Sequence, residues 1–354
     1  MSSNESCERL YPTPWASLNA LPEELRLDTT LHGAQSFRWR KTEESEWTNV
    51  LDGKLVSVKQ TDNDVLFRTY KPREVAVSDT SKDSQDLKSY LRDYFQLDTS
   101  LQDLYTSWAT ADPNFRRVGS QNVAFRGIRV LRQHPVENLI TFICTSNNNV
   151  ARITLMVNAL CREYGPAIGV PSHVPEDEPP FHDFPVIKTL SATDDLESRL
   201  RELGFGYRAK YITQTCARLS EHPDPEAYLL SLRALPYKDA IQALLEFPGV
   251  GPKVADCVAL MSLDKREAVP VDRHVWQIAL RDYGFTMADE IEDYTLTPKV
   301  YRQIQQHFRS LHGEYCGWAH SVLFTADLRA FNDRINCELG GDIASPSKTP
   351  KKRK

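Results

Sequence analysis

The sequence predicts an α+β protein, in which a small antiparallel β-sheet domain is followed by a larger, mainly α-helical domain. Two periodicities predict it. Between residues 47 and 70 the chain runs through EWTNVL, KLVSVKQ and VLFRTY, joined by Asp52-Gly53 and by the polar turn TDND. Asp-Gly between β-rich runs is a strong hairpin signal, because a two-residue turn of the favoured hand needs positive φ at both positions. From Leu87 onward the period becomes helical: Leu87, Tyr90, Leu91 and Tyr94, then Leu101, Leu104, Tyr105 and Trp108, the second run opened by the capping-box pair Ser100 and Asp103.

The chain has 354 residues, 41% of them hydrophobic and 26% charged, with 43 bases against 48 acids and a formal net charge of −5. That is the make-up of an ordinary globular protein with enough sequence for two or three domains. The longest apolar runs, such as Asn138 to Cys144, fall short of the ~18 residues that read as a membrane span. The opening MSSNESCERLYPTPW has neither the apolar stretch of a secretory signal nor the acid-poor character of a transit peptide, and reads as a frayed tail. The predicted organisation is a disordered tail over 1–12, a β-rich domain over 13–120, a helical domain over 121–335 and a disordered basic tail over 336–354. Polar Val75 to Asp86 and Pro-rich, acidic Val170 to Pro185 read as loops.

The seven cysteines are scattered, as expected in a reducing compartment. No C-x-x-C and no late four-cysteine cluster occurs, so neither zinc nor an iron–sulfur cluster has a sequence basis. The end SPSKTPKKRK carries Lys348, Lys351, Lys352, Arg353 and Lys354 and reads as a nuclear import signal, with a merely solubilising tail as the alternative. Arg116, Arg117, Arg126, Arg129 and Arg132 fall in an acid-free stretch, a local attraction for a polyanion.

Residues 238–262 read as a helix, a tight turn Phe247-Pro248-Gly249-Val250-Gly251, and a second helix with Pro252 in its first turn, where the missing N–H is harmless. In such a helix-hairpin-helix, Gly249 and Gly251 let a ligand approach the backbone, and the positive helix end suits a phosphate. A corner-turning αα-hairpin fits PGVG alone equally well. Lys253 stands where the helix end disfavours an ammonium, which suits a nucleophile; taken singly, Gly-x-Lys also fits a phosphate-contacting lysine. Nineteen positions on, Asp272 precedes an apolar helical pattern and suits an N-cap. Brought opposite Lys253, its carboxylate could instead offset positive charge developing on a sugar.

FPGVGPKVADC followed by VPVD resembles the signature of the helix-hairpin-helix DNA glycosylase superfamily. GAQSFRW, ICTSNNNVARI, GFGYRAKY and GWAHSVLFTADLR resemble the eukaryotic 8-oxoguanine DNA glycosylase/AP lyase family, and the likeness runs from about Trp15 to Phe331. The resemblance implies a bifunctional enzyme that flips 8-oxoguanine paired with cytosine out of duplex DNA. It implies Lys253 as the nucleophile on the sugar C1′, Asp272 as electrostatic support, and Cys257, one turn from Lys253, as its partner in a dipole facing the damaged base. Ala34, Pro270, His320 and Phe324 match the rest of the damaged-base site. Asn147, Arg152 and Arg208 match positions that hold the orphaned cytosine, Tyr207 the wedge in the vacated stack, and His274 a phosphate contact. No metal and no organic cofactor is implied, beyond a structural cation held by hairpin carbonyls, and the enzyme is expected to act as a nuclear monomer. Two positions depart from the family. Ala34 replaces glycine, harmlessly if its φ is negative. His320 replaces glutamine, and its protonation near pH ~6.5 would give excision an extra pH dependence. A same-fold glycosylase for a formamidopyrimidine or alkylated purine, and a catalytically silent DNA-binding module, are the alternatives.

Overall fold

Asp52 and Gly53 take φ values of 49° and 70°, the two left-handed residues that the hairpin needs. A computed structural model of the chain describes residues 8–73, 81–175, 177–285 and 296–331. Eight strands, β1 (Arg9–Pro12), β2 (Ala16–Ser17), β3 (Arg40–Glu43), β4 (Glu46–Leu51), β5 (Lys54–Gln60), β6 (Val65–Lys71), β7 (Ala167–Pro171) and β8 (Phe181–His182), form a sheet in the order β3-β4-β5-β6-β1-β7-β8, with β2 beside β6. The central meander is antiparallel, Leu51 facing Lys54 and Gln60 facing Val65.

Three sequence expectations are corrected here. Arg9–Pro12 is a strand and not a tail, paired antiparallel with β6 and parallel with β7. The acidic loop contributes the end of β7 and all of β8, because Phe181 buries itself with Leu10, Val50, Leu55 and Tyr70, and Arg9 donates to the Ser172 and Val174 carbonyls at 3.0 and 2.9 Å. Helix Ser81–Tyr94 begins six residues before its apolar periodicity, since its first turn is polar and held by an Asp83–Lys71 ion pair of 2.9 Å. Residues 1–7, 75–80 and 336–354 of the predicted tails and loop lie outside the described residues.

The cores also divide differently from the predicted boundary at 120. Leu87, Leu91, Tyr94 and Phe95 pack under the sheet with Leu131, whereas Leu101, Tyr105, Trp108 and Phe115 join the helical core, as does Phe37. Side chains therefore cross residue 120 in both directions. The helical body includes Pro135–Ile143, Val150–Tyr164, Arg208–Leu219, Pro252–Ser262, Arg273–Tyr283, Pro298–His312 and Cys316–Asp327. The five described cysteines are free and buried. Among the described residues no helix is long and apolar enough to cross a membrane.

Candidate active site

The hairpin turn explains its own glycines. Gly249 has φ 82°, and a Cβ there would stand 2.7 Å from the Tyr211 Cβ. Gly251 faces open space, with no atom within 4 Å of a Cβ position, just ahead of helix Pro252–Ser262. That leaves the positive helix end accessible to an anion.

Helix Pro252–Ser262 packs on helix Pro135–Ile143. The Lys253 ammonium donates to Thr145 Oγ1 at 3.3 Å and lies 5.2 Å over the Phe142 ring. Cys257 is buried beside it. Burial pushes its thiol up to about 11, against the downward pull of Lys253, so the pair presents a thiol beside a cation and not a thiolate. Asp272 caps helix Arg273–Tyr283, its Oδ1 accepting from the N–H groups of His274 and Val275 at 2.9 Å each. Capping and catalysis are compatible here, because the capped carboxylate also faces the cavity.

That cavity, of about 40 Å³, is lined by Gly33, Ala34, Gln35, Phe142, Lys253, Cys257, Met261, Asp272, His320, Ser321, Phe324 and Thr325. It has room for about three waters, so a purine enters only if the lining moves apart. A larger groove of about 680 Å³ runs past Arg38, Tyr90, Glu137, Asp183 and His222. Its Glu137 and Asp183 are already paired with Arg38, and it contains none of the predicted site residues.

His320 is 6% exposed, with neither ring nitrogen hydrogen-bonded, and its ring stands 6.1 Å from Phe308 and 6.0 Å from Phe324. Burial holds it down at about 4, which overturns the expected protonation near neutrality. The imidazole keeps one donor and one acceptor for a partner in the cavity. Ala34 has φ 59°, so the negative φ that would make alanine harmless is absent. Gln35 pins this turn, donating to the Thr30 and Arg129 carbonyls at 2.9 and 2.7 Å and accepting from the Leu131 N–H at 2.9 Å. Pro270 is buried but does not line the cavity. His274 Nε2 pairs with Asp327 Oδ2 at 2.8 Å, a hydrogen bond that raises its pKa, and its ring stands edge-on to Phe324 at 5.2 Å.

None of the residues matched to the opposite base lines this cavity, and three of them donate to backbone carbonyls. Arg208 is only 2% exposed and donates to the carbonyls of Ser146 and Asn147, the latter at 2.9 Å. Its guanidinium is turned inward onto these two carbonyls. Arg152 Nη2 donates to Gly204 O at 3.1 Å. Tyr207 is 47% exposed, and its hydroxyl donates to Ser146 O at 2.9 Å. Asn147 is left-handed, with φ 47°. The basic stretch is largely spent on structure: Arg129 is buried against Glu24, and Arg132 is paired with Asp93 and Asp264. Sequence reasoning passed over Phe142, Thr145, Asp256 and Asp327. Each lay in a run already quoted, but no local pattern separates such a residue from core or cap. No group of three His, Cys, Asp or Glu suited to a metal occurs among the described residues.

Fold and site together define a helix-hairpin-helix protein that offers a lysine amine and a carboxylate to one small cavity. Residues 17–139 match the family model described as 8-oxoguanine DNA glycosylase, N-terminal domain, and residues 140–298 that of the HhH-GPD superfamily base excision DNA repair protein. The chain is 40% identical over 323 residues to the N-glycosylase/DNA lyase OGG1 of Arabidopsis thaliana, covering 89% of this chain and 81% of that one. It is 37% identical over 361 aligned positions to the N-glycosylase/DNA lyase of Saccharomyces cerevisiae, covering 94% and 88%. Its fold is that of the Clostridium acetobutylicum 8-oxoguanine glycosylase/lyase in its apo-form, with a TM-score of 0.70 at 24% identity over 91% of this chain and 99% of that one. The chain belongs to the 8-oxoguanine DNA glycosylase family of base excision repair N-glycosylase/DNA lyases.

Proposed function

We propose that this protein flips 8-oxoguanine paired with cytosine out of duplex DNA, cleaves its glycosidic bond and then opens the abasic site. The observation that carries this reading is the convergence of Lys253, Cys257, Asp272, His320, Phe324 and Ala34 on one cavity. The Lys253 ammonium gives up a proton to water, and the neutral amine attacks C1′ as the C1′–N9 bond breaks, the bonding pair leaving with the purine. Asp272 offsets the positive charge that develops on the sugar. The nitrogen then gives up one proton and O4′ takes one up as the C1′–O4′ bond opens, leaving a protonated imine. Loss of a C2′ proton expels the 3′ phosphate, and water releases Lys253.

Phe324 offers a face to the extruded base, His320 an edge contact, and the Ala34 carbonyl an acceptor for the N7–H that guanine lacks. Asn147, Arg152 and Arg208 take the orphaned cytosine and Tyr207 fills the vacated stack, while His274, Gly249 and Gly251 meet phosphate. No organic cofactor enters these steps, and a cation between hairpin carbonyls and phosphate is a structural aid. The basic tail directs this monomer to the nucleus.

Borohydride treatment during turnover on 8-oxoguanine·cytosine duplex is expected to give a covalent adduct that mass spectrometry assigns to Lys253. An adduct on another lysine, or none, overturns the nucleophile. A panel of duplexes bearing single lesions should rank 8-oxoguanine first; faster release of a formamidopyrimidine or alkylated purine transfers the assignment to that lesion.

A further inference from the structure

Helix Pro252–Ser262 carries a carboxylate that the chemistry above leaves unused. Asp256 lies three residues after Lys253, is 2% exposed and does not line the cavity. Its Oδ1 accepts from the Tyr237 hydroxyl at 2.6 Å, and its Oδ2 accepts from the Tyr301 hydroxyl and from Gln305 Nε2, the latter at 2.8 Å. Tyr237 opens the other helix of the hairpin, Tyr237–Leu245, while Tyr301 and Gln305 project from Pro298–His312.

The same two side chains grip the segment that delivers Asp272. Val271 N–H donates to Tyr301 Oη at 3.3 Å, and Gln305 Nε2 donates to Val269 O at 3.0 Å. One carboxylate thus ties together both hairpin helices and the run into the Asp272 cap. Holding helices together does not require a buried charge, since an apolar or amide side chain does so without the desolvation cost.

We propose that Asp256 is a positioning residue for excision, which through Tyr301 and Gln305 sets the spacing between the Lys253 amine and the Asp272 carboxylate. The inference rests on Lys253 and Asp272 being the reacting pair. Tyr237 faces Asp256 from one helix, Tyr301, Gln305 and Arg309 from another, and Lys253 and Cys257 share its own helix. Burial dominates and raises Asp256 to about 6, against the lowering effect of the two tyrosines, Arg309 and Gln305. Below that pH the protonated carboxyl has a hydrogen to donate, and its donors lose an acceptor. The spacing is then no longer enforced, which adds an acid limb to the excision profile.

The test is single-turnover excision by the full chain on 8-oxoguanine·cytosine duplex from about pH 5 to about pH 8, with affinity measured on a duplex carrying a tetrahydrofuran abasic analogue. Asp256→Asn should slow excision about tenfold or more at neutral pH, bind the analogue within about twofold of wild type, and lack the limb near 6. Tyr301→Phe removes a donor that stabilises the carboxylate, so the limb should move to higher pH. This second variant carries the test if Asp256→Asn does not fold. A wild-type rate and limb in Asp256→Asn, parallel loss of rate and affinity, or an unmoved limb in Tyr301→Phe overturns the proposal. Borohydride trapping of the wild type separates the two readings: absence of a Lys253 adduct sinks the catalytic assignment, whereas a normal adduct with fully active Asp256 variants removes only the positioning role.

Discussion

The lesion pocket and the opposite-base face hold their polar residues differently. In the pocket, the Asp272 carboxylate and the turn at Ala34 are fixed by bonds that need not break for chemistry, the first by its cap and the second by Gln35. On the other face, Arg152, Tyr207 and Arg208 are occupied by the carbonyls of Gly204, Ser146 and Asn147. Chemistry gains from groups positioned in advance, because reorganisation is then not left to the transition state. Readout by the second face requires an exchange of partners, carbonyl for base. The two faces should therefore answer mutation in different measurements.

Lys253→Gln is expected to give the largest effect, a loss of excision of roughly a thousandfold or more with no borohydride adduct and with duplex binding retained. Asp272→Asn should follow at about a hundredfold in single-turnover rate. Asparagine caps a helix nearly as well as aspartate, so the thermal midpoint should stay close to wild type; a large drop would make Asp272 a structural residue and blur the contrast.

On the other face Arg208→Ala strands the Asn147 carbonyl and removes one of two donors to the Ser146 carbonyl, and should cost about 1–3 kcal/mol in denaturant unfolding while also narrowing the preference for cytosine over adenine. Arg152→Ala should narrow that preference with little loss of stability. If both variants discriminate as the parent does, this face does not read the base.

A further effect concerns acid stability. His320 is held down at about 4, against an ordinary value of 6.5, so between those values the unfolded chain binds more protons than the folded one. Its contribution is intact above pH 6.5 and declines as pH falls toward 4, by at most about 1.4 kcal/mol per pH unit. His320→Gln should flatten that decline in thermal midpoint while leaving the excision profile near pH 6.5 unchanged; a profile that moves there would return His320 to the titrating role read from the sequence.

What the sequence determined by itself is short in range. Asp52-Gly53, the Pro252 helix start and the Asp272 cap are legible because each depends on φ or on an N–H within a few residues. The candidate pair Lys253 and Asp272 was legible for the same reason, each standing at a helix start. Tertiary structure alone decided the rest. The strand Arg9–Pro12 exists because β6 and β7 lie beside it, Ala34 is left-handed in a turn pinned by distant carbonyls, and Arg208 turns inward to Ser146 and Asn147. His320 stays neutral and Asp256 rises toward neutrality because residues far along the chain exclude water from both. Burial and partners set the charge state and aim of a side chain, and these are supplied by segments that no local spacing brings together.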